Sequence, residues 1–191
     1  MCTLTFVPTE DGYLAGMNRD ELFSRPRALP PKIFVKGAME MVYPREPSGG
    51  TWIACNSQGN LLALLNWNGN ESYNLGEKRK TRGLVIPELA GESDLPATDS
   101  NFRRMNLHGV FPFRLVGFFR NERIINEWRW DGMARRKLEF SWARKHWFSS
   151  SLSDSLAAKE RGRTCEAAAG EPAAGSDGWL RRLHRSHIAG P

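Results

Sequence analysis

The first twenty residues constrain the fold most, since they combine a hairpin signal with a polar cluster that follows it directly. The apolar stretches TLTFVP and YLAGMN flank Asp11-Gly12, a residue pair typical of tight β-turns. An antiparallel hairpin with this turn brings residues 3–5 opposite roughly 18–20. We therefore expect Cys2 to lie beside the polar cluster Asn-Arg-Asp-Glu that ends the second strand.

Six further strands are predicted by short apolar or alternating runs. GTWIACN and NLLALLNW predict a second hairpin, and FPFRLVGFFR, RIINEWRW, KLEFSW and KHWFSSSL predict four more strands. Residues 22–48 are rich in proline and charge, and we expect them to be mostly ordered loop. Residues 68–101 are polar and glycine-rich, with one helix predicted near 83–90 that Pro87 limits or kinks.

The last part of the sequence changes from strand patterns to helix patterns. Ser153 is a typical N-cap for DSLAAKERGRTCEAA, and WLRRLHRSH predicts a short helix over 179–187 after a flexible linker near 168–178. Antiparallel strands followed by helices indicate the α+β class. With 191 residues the chain is long enough to bury a core, and we expect a single domain over 1–191.

Several classes of protein are excluded by composition. No apolar run approaches the about 20 residues that a membrane span needs, and no basic segment followed by a long apolar one indicates a secretory signal. Cys2, Cys55 and Cys165 are widely spaced, without a CxxC pair, which disfavours a disulfide framework or structural zinc and favours the cytoplasm. Only His184 and His187 have helical spacing, so we expect neither a metal nor a cofactor.

The positive net charge of +6 raises nucleic acid as a partner. Between Phe102 and Trp147, eleven Arg and Lys residues stand against four acidic ones, with tryptophans interleaved as in a platform that stacks single-stranded bases. FRLVGFFR and RIINEWRW, however, have the apolar pattern of half-buried strands with arginine on the solvent face. We therefore expect that nucleic acid is not a partner.

Cys2 is the sharpest chemical feature. Removal of the initiator methionine would leave Cys2 at the N-terminus, where one residue carries both a thiol nucleophile and a base. An α-amino group titrates near about 7.7–8.0 and can accept the thiol proton around neutral pH. The alternatives are an incidental cysteine in a frayed terminus and, for the polar cluster, a solvated strand end without function.

A set of ordered motifs resembles one known family. MCT, MNRDELFSRP, GGTWIACNSQGNLLALLN and SSSLSD together, from residue 1 to about 154, are similar to the NRDE-motif family, whose eukaryotic members are called transport and Golgi organisation proteins. The resemblance implies an N-terminal-nucleophile-hydrolase-like α-β-β-α sandwich, with two sheets packed between helices. It also implies a further strand after RSHIAGP, which we expect this chain to lack, leaving a sheet edge unpaired.

The resemblance also implies a set of site residues. Cys2 matches the nucleophile, Asp20 the acid that binds the α-amino group, and Asn66 the amide that donates to the oxyanion. Asn18 and Arg19 are implied as contacts for the substrate. Met17 stands where the hydrolases have an arginine, which is one departure from their pattern.

Two more candidates lie further along the chain. Asp154 stands where the hydrolases have an asparagine, and an ionised carboxylate cannot donate a hydrogen bond to an oxyanion. Asp154 is therefore an implied pocket residue, although helix capping also explains Ser153 and Asp154. Trp52 and Trp67 either line the pocket or belong to the core.

Two functions follow from the resemblance. The first is thiol-dependent hydrolysis of a non-peptide acyl amide, with Cys2, Asp20 and Asn66 as catalytic residues. The second is a non-catalytic carrier or trafficking protein for haem or a lipid. The free amine of Cys2 distinguishes them, because the hydrolase requires it and the carrier does not.

Overall fold

In a computed structural model of the chain, the structure describes residues 2–19, 24–67, 80–150 and 153–185. The strands of the described residues are β1 (Cys2–Pro8), β2 (Tyr13–Arg19), β3 (Leu29–Lys36), β4 (Met39–Arg45), β5 (Ile53–Asn56), β6 (Leu61–Asn66), β7 (Phe113–Phe119), β8 (Ile124–Trp130), β9 (Arg135–Ser141) and β10 (Lys145–Ser149). The helices are a 3-10 turn (Arg82–Leu84), α1 (Val85–Leu89), α2 (Leu95–Arg104), α3 (Asp154–Ala169) and α4 (Asp177–Arg185). Two antiparallel sheets with helices confirm the α+β class.

The described residues form two compact units. The first contains 2–19, 66–67, 142–150 and 153–185, and the second contains 24–65 and 80–141. The first unit holds a three-stranded sheet with α3 and α4, and the second holds nearly all of a seven-stranded sheet with α1 and α2. The single-domain organisation and the linker stay predictions.

The three-stranded sheet has the order β10-β1-β2, so β1 is its central strand. The predicted hairpin is confirmed, and the Thr9 N–H closes its turn on the Gly12 carbonyl at 3.0 Å. Its register pairs Thr3 with Asn18. The sequence predicted that Thr3 would lie opposite residue 20, which is a difference of two residues. A shift of two residues keeps every side chain on the same face of the sheet.

Helices α3 and α4 cover one face of this sheet. Val7 of β1 packs with Ala168, Trp179 and Leu180, and Trp179 donates from Nε1 to the Ala168 carbonyl at 2.8 Å. Ser153 caps α3 as predicted, since its side chain accepts from the Leu156 N–H at 3.2 Å. The apolar contacts and this cap stabilise α3 on the sheet, although few of its residues are buried.

The seven-stranded sheet runs β3-β4-β5-β6-β7-β8-β9 in sequence order. One of its faces packs on α1 and α2 through a core that includes Leu89, Phe102 and Trp128, which are almost fully buried. Trp128 donates from Nε1 to Asp99 at 2.8 Å, so its polar atom is satisfied within the core. The tryptophans of the basic segment that lie here are core residues rather than a stacking platform.

Two predictions about local structure need correction, and a third is confirmed. The segment 22–48 was expected to be mostly loop, but it contains β3 and β4. These two strands form because their backbones pair along Leu29–Arg45, although few of their side chains are buried. The segment 68–101 contains part of α2, which Asp94 caps by accepting from the Ala97 N–H at 2.8 Å. The helix predicted near 83–90 is confirmed as the 3-10 turn and α1.

Within 2–19, 24–67, 80–150 and 153–185, no helix has the length and the apolar composition that crossing a bilayer requires.

Candidate functional site

Cys2 begins the central strand of the three-stranded sheet. It lies directly opposite Arg19 on β2 and Ser149 on β10. Residues directly opposite each other in antiparallel strands project to the same face, so these three side chains form one row across the sheet. Cys2 is only 8% exposed and Ser149 is 2% exposed, whereas Arg19 at the outer end of the row is half-buried.

The polar cluster does not project to a single face. Arg19 shares the face of Cys2, whereas Asn18 pairs with Thr3 and belongs to the opposite face, which the helices cover. Asp20 lies outside the described residues. The contacts predicted for Asn18, Arg19 and Asp20 with a substrate or with the α-amino group stay predictions.

Asn18 connects the end of β2 to helix α4. Its Nδ2 donates to the His184 carbonyl at 2.6 Å, and its Oδ1 lies 3.0 Å from Nδ1 of the His184 ring. The ring rests against Gly16, where a Cβ atom would come within 3.1 Å of it. Glycine at this position therefore gives the imidazole room to reach Asn18.

A second histidine lies on the same covered face. His146 on β10 is directly opposite Thr5, and its Nδ1 lies 2.9 Å from the Thr5 hydroxyl. Burial, with the positive charges of Arg144 and Lys145 and that of His184 once protonated, lowers the pKa of His146 to about 4. Burial, with the charge of Arg161, likewise lowers the pKa of His184 to about 4.

These polar side chains form a group that sequence reasoning missed. Arg161 adds a hydrogen bond from Nη1 to the Thr3 hydroxyl at 2.9 Å. The group joins β1, β2 and β10 to α3 and α4 and consists of Thr3, Thr5, Asn18, His146, Arg161 and His184. No spacing in the sequence links them, because their meeting depends on where α4 packs.

Asn66 and Trp67 come at and just after the end of β6. Asn66 is exposed and Trp67 is half-buried, and both belong to the same compact unit as Cys2. The predicted role of Asn66 as oxyanion donor stays a prediction, as does the role of Trp67. Trp52, the other pocket candidate, is half-buried.

Asp154 is the first residue of α3. Its Oδ1 accepts from the Ser150 N–H at 2.7 Å, which ties the helix start to the end of β10. This contact gives Asp154 a structural role, and its predicted role in a pocket stays a prediction. The carboxylate at a helix N-terminus is also favoured by the helix dipole.

The other two cysteines have different surroundings. Cys165 is buried on α3, and burial raises the pKa of its thiol to about 11. Cys55 on β5 is half-buried rather than a core residue, with its Sγ 3.7 Å from the Asn56 carbonyl. In the described part of the chain, no three His, Cys, Asp or Glu side chains cluster as a metal site requires.

The fold and site together define an α+β protein with a buried cysteine at the head of a central strand. The chain belongs to the Transport and Golgi organisation 2 family, which matches residues 1–163, and the family expected from the sequence is confirmed. No curated protein matches the sequence.

Among solved structures, the chain is similar to penicillin V acylase from Agrobacterium tumefaciens, with a TM-score of 0.47 and 7% sequence identity. The similarity covers 73% of this chain and 49% of that chain. The chain therefore spans about half the length of that acylase.

Proposed function

We propose that the protein is a thiol amidohydrolase that cleaves the C–N bond of a non-peptide acyl amide, with Cys2 as its N-terminal nucleophile. The observation that carries the proposal is the position of Cys2 at the start of a buried central strand, in one row with Arg19 and Ser149. A nucleophile on a central strand is held rigidly by hydrogen bonds on both sides. Catalytic groups need that rigidity, because small displacements reduce the rate steeply.

Each bond change in the proposed reaction has an assigned group. Removal of Met1 frees the α-amine of Cys2, which takes the thiol proton as Sγ attacks the carbonyl carbon. Asn66 donates to the oxyanion, and Asp20 holds the ammonium that forms. The C–N bond then breaks, and the amine leaves with the proton from the ammonium. Water hydrolyses the thioester, releasing the acid and restoring the thiol.

The test combines intact-mass analysis with a panel of acyl amides. The native protein should have lost one methionine, and Cys2→Ala should abolish hydrolysis of any amide that the wild type cleaves. Cys55→Ala is the matched control, since Cys55 is a partly exposed thiol on another strand. Retention of Met1, or equal hydrolysis by Cys2→Ala, would contradict the proposal.

A second candidate is a non-catalytic carrier of haem or a lipid, which the description of the family as transport and Golgi organisation favours. A carrier would bind its ligand equally well with and without the Cys2 thiol. Equal haem or fatty-acid binding by wild type and Cys2→Ala, without amide cleavage by either, would support the carrier in place of the hydrolase.

A further inference from the structure

β9 is the last strand of the seven-stranded sheet, and its outer edge is open. All of its residues pair with β8 in unbroken register, from Ser141 opposite Ile124 to Arg135 opposite Trp130. In the described part of the chain, no strand pairs with the other side of β9. Such an edge presents a row of backbone N–H and C=O groups that can pair with an added strand.

The opposite edge of the sheet is less suited to such pairing. β3 contains Pro30 and Pro31, which lack N–H donors, and its register with β4 shifts between Leu29 and Lys32. β9 contains neither a proline nor a register shift. Of the two edges, β9 is therefore the one that offers a regular template over its whole length.

Three consecutive basic residues, Arg135, Arg136 and Lys137, begin β9, and all three are exposed. The strand has one acidic residue in all. Arg135 donates to the Met105 carbonyl, and its guanidinium carbon lies 5.4 Å from the centroid of the Trp130 ring. Both of these contacts are with uncharged groups, so they leave the positive charge of Arg135 in place.

The acidic residues near the other two cations offset only part of the charge. Asp131 lies 3.9 Å from Arg136, whose side chain is 70% exposed. Asp99 lies 3.7 Å from Lys137 and also pairs with Arg103 at 2.8 Å. One carboxylate thus faces two cations, and the start of β9 keeps an excess of positive charge.

We propose that the outer edge of β9 binds an extended acidic segment of a partner protein, which continues the sheet as a further strand. Backbone hydrogen bonds to β9 supply the affinity, and the alternating side chains of the segment supply the specificity. Opposite charges directly across two strands stabilise the pairing, so acidic side chains of the segment lie beside Arg135, Arg136 and Lys137. Leu138, which is 37% exposed, lies beside an apolar side chain of the segment.

A second copy of this chain matches the edge less well. Two copies of β9 pair antiparallel over their full length only about Leu138, the central residue. Glu139 of each copy then lies opposite Lys137 of the other. Arg135 and Arg136 face no acidic residue in that pairing. An acidic segment offers a partner to all three cations, which favours it as the occupant.

The test measures binding of fluorescent peptides to the full chain by anisotropy. The probe alternates glutamate with valine and is as long as β9. In one control peptide lysine replaces glutamate, and in the other every backbone nitrogen is methylated, which keeps the charges and removes the N–H donors. The wild type should bind the glutamate peptide, and it should bind each control at least about tenfold more weakly.

Arg136→Glu should weaken binding of the glutamate peptide about tenfold, because it places a like charge beside the added strand. Its matched control is Arg181→Glu on α4, since Arg181 is 67% exposed and also paired with an aspartate, Asp177. The two variants change the net charge equally. Affinity for the wild type should fall as salt is added, because the cations at the edge are exposed to screening.

Proline substitutions test the backbone pairing itself. Neighbouring residues of an edge strand point their N–H groups alternately toward the sheet and outward, so one of Leu138→Pro and Glu139→Pro preserves the bonds to β8. That variant should stay folded by circular dichroism and bind the glutamate peptide at least about fivefold more weakly, as expected for one lost hydrogen bond. Should neither variant fold, the methylated peptide decides the same point.

Absence of binding of the glutamate peptide to the wild type, or equal binding of the methylated peptide, would overturn the proposal. Equal weakening by Arg136→Glu and Arg181→Glu would also overturn it, because net charge alone would then explain the effect. A dimer in analytical ultracentrifugation that the folded proline variant disrupts would assign the edge to a second copy instead.

Discussion

Acidification should destabilise the protein through His146 on β10 and His184 on α4. His146 and His184 are neutral in the folded protein, since the pKa of each is lowered from 6.5 to about 4. Below pH 6.5 the unfolded chain takes up protons that the folded protein does not, so stability falls as pH falls. The loss begins near pH 6.5 and is complete near pH 4, where the folded protein also protonates.

The size of the effect follows from the pKa changes. At about 1.4 kcal/mol per pKa unit, the lowering of the pKa from 6.5 to about 4 sets an upper limit of about 3.5 kcal/mol for each ring. Both rings are only half-buried, and solvent screening reduces the figure to about 2 kcal/mol each. The sum of about 4 kcal/mol is a large part of the about 5–15 kcal/mol that stabilises a typical protein.

The contacts of His184 give the physical reason. Nδ1 lies 3.0 Å from the Asn18 side-chain oxygen, so the neutral ring donates there. Nε2 is buried beside Gly16 without a hydrogen-bond partner among the described residues. A proton on Nε2 would bury an unpaired charged donor, with the positive charge of Arg161 acting on the ring.

Urea unfolding at several pH values measures the effect. The double variant His146→Gln/His184→Gln should lose most of the fall in unfolding free energy between pH 6.5 and 4, because it removes the two groups that titrate. His108→Gln is the control, since His108 is exposed and outside this group. A double variant with the same pH dependence as the wild type would refute the assignment.

Three further outcomes follow from the first compact unit. Trp179→Ala should lower the unfolding free energy by about 3–5 kcal/mol in chemical denaturation, since it leaves a cavity and removes the hydrogen bond to Ala168. Retention of wild-type stability would show that α4 does not contribute to the fold. If the protein is a hydrolase, Asn66→Asp should reduce turnover by a factor of about 10² to 10³, the usual effect of losing one oxyanion donor. Near-normal turnover in a folded variant would remove Asn66 from the mechanism. Alkylation at neutral pH, followed by peptide mass analysis, should label Cys2 before Cys165, whose thiol stays protonated; the reverse order would contradict an activated Cys2.

Local sequence signals determined much of the fold. The Asp11-Gly12 turn between two apolar stretches specified the first hairpin, and short apolar or alternating runs predicted the last four strands. Ser153 specified the start of α3. These features depend on residues close in sequence, so their physical causes (turn geometry, apolar side chains and capping) are visible in the sequence itself. The family was predicted in the same way, from ordered motifs.

Tertiary structure decided what the sequence did not show. β3 has almost only exposed side chains, so it lacks an apolar pattern and is held by backbone pairing to β4, which itself buries Met41 and Tyr43. The register of the hairpin placed Asn18 on the helix-covered face, and packing of α4 brought His184 to it. Likewise, Arg114, Arg129 and Arg136 become neighbours only through strand pairing. Contacts between residues far apart in sequence depend on how whole strands and helices pair and pack. This pairing and packing is set by the sum of many burial and hydrogen-bonding energies rather than by any local pattern.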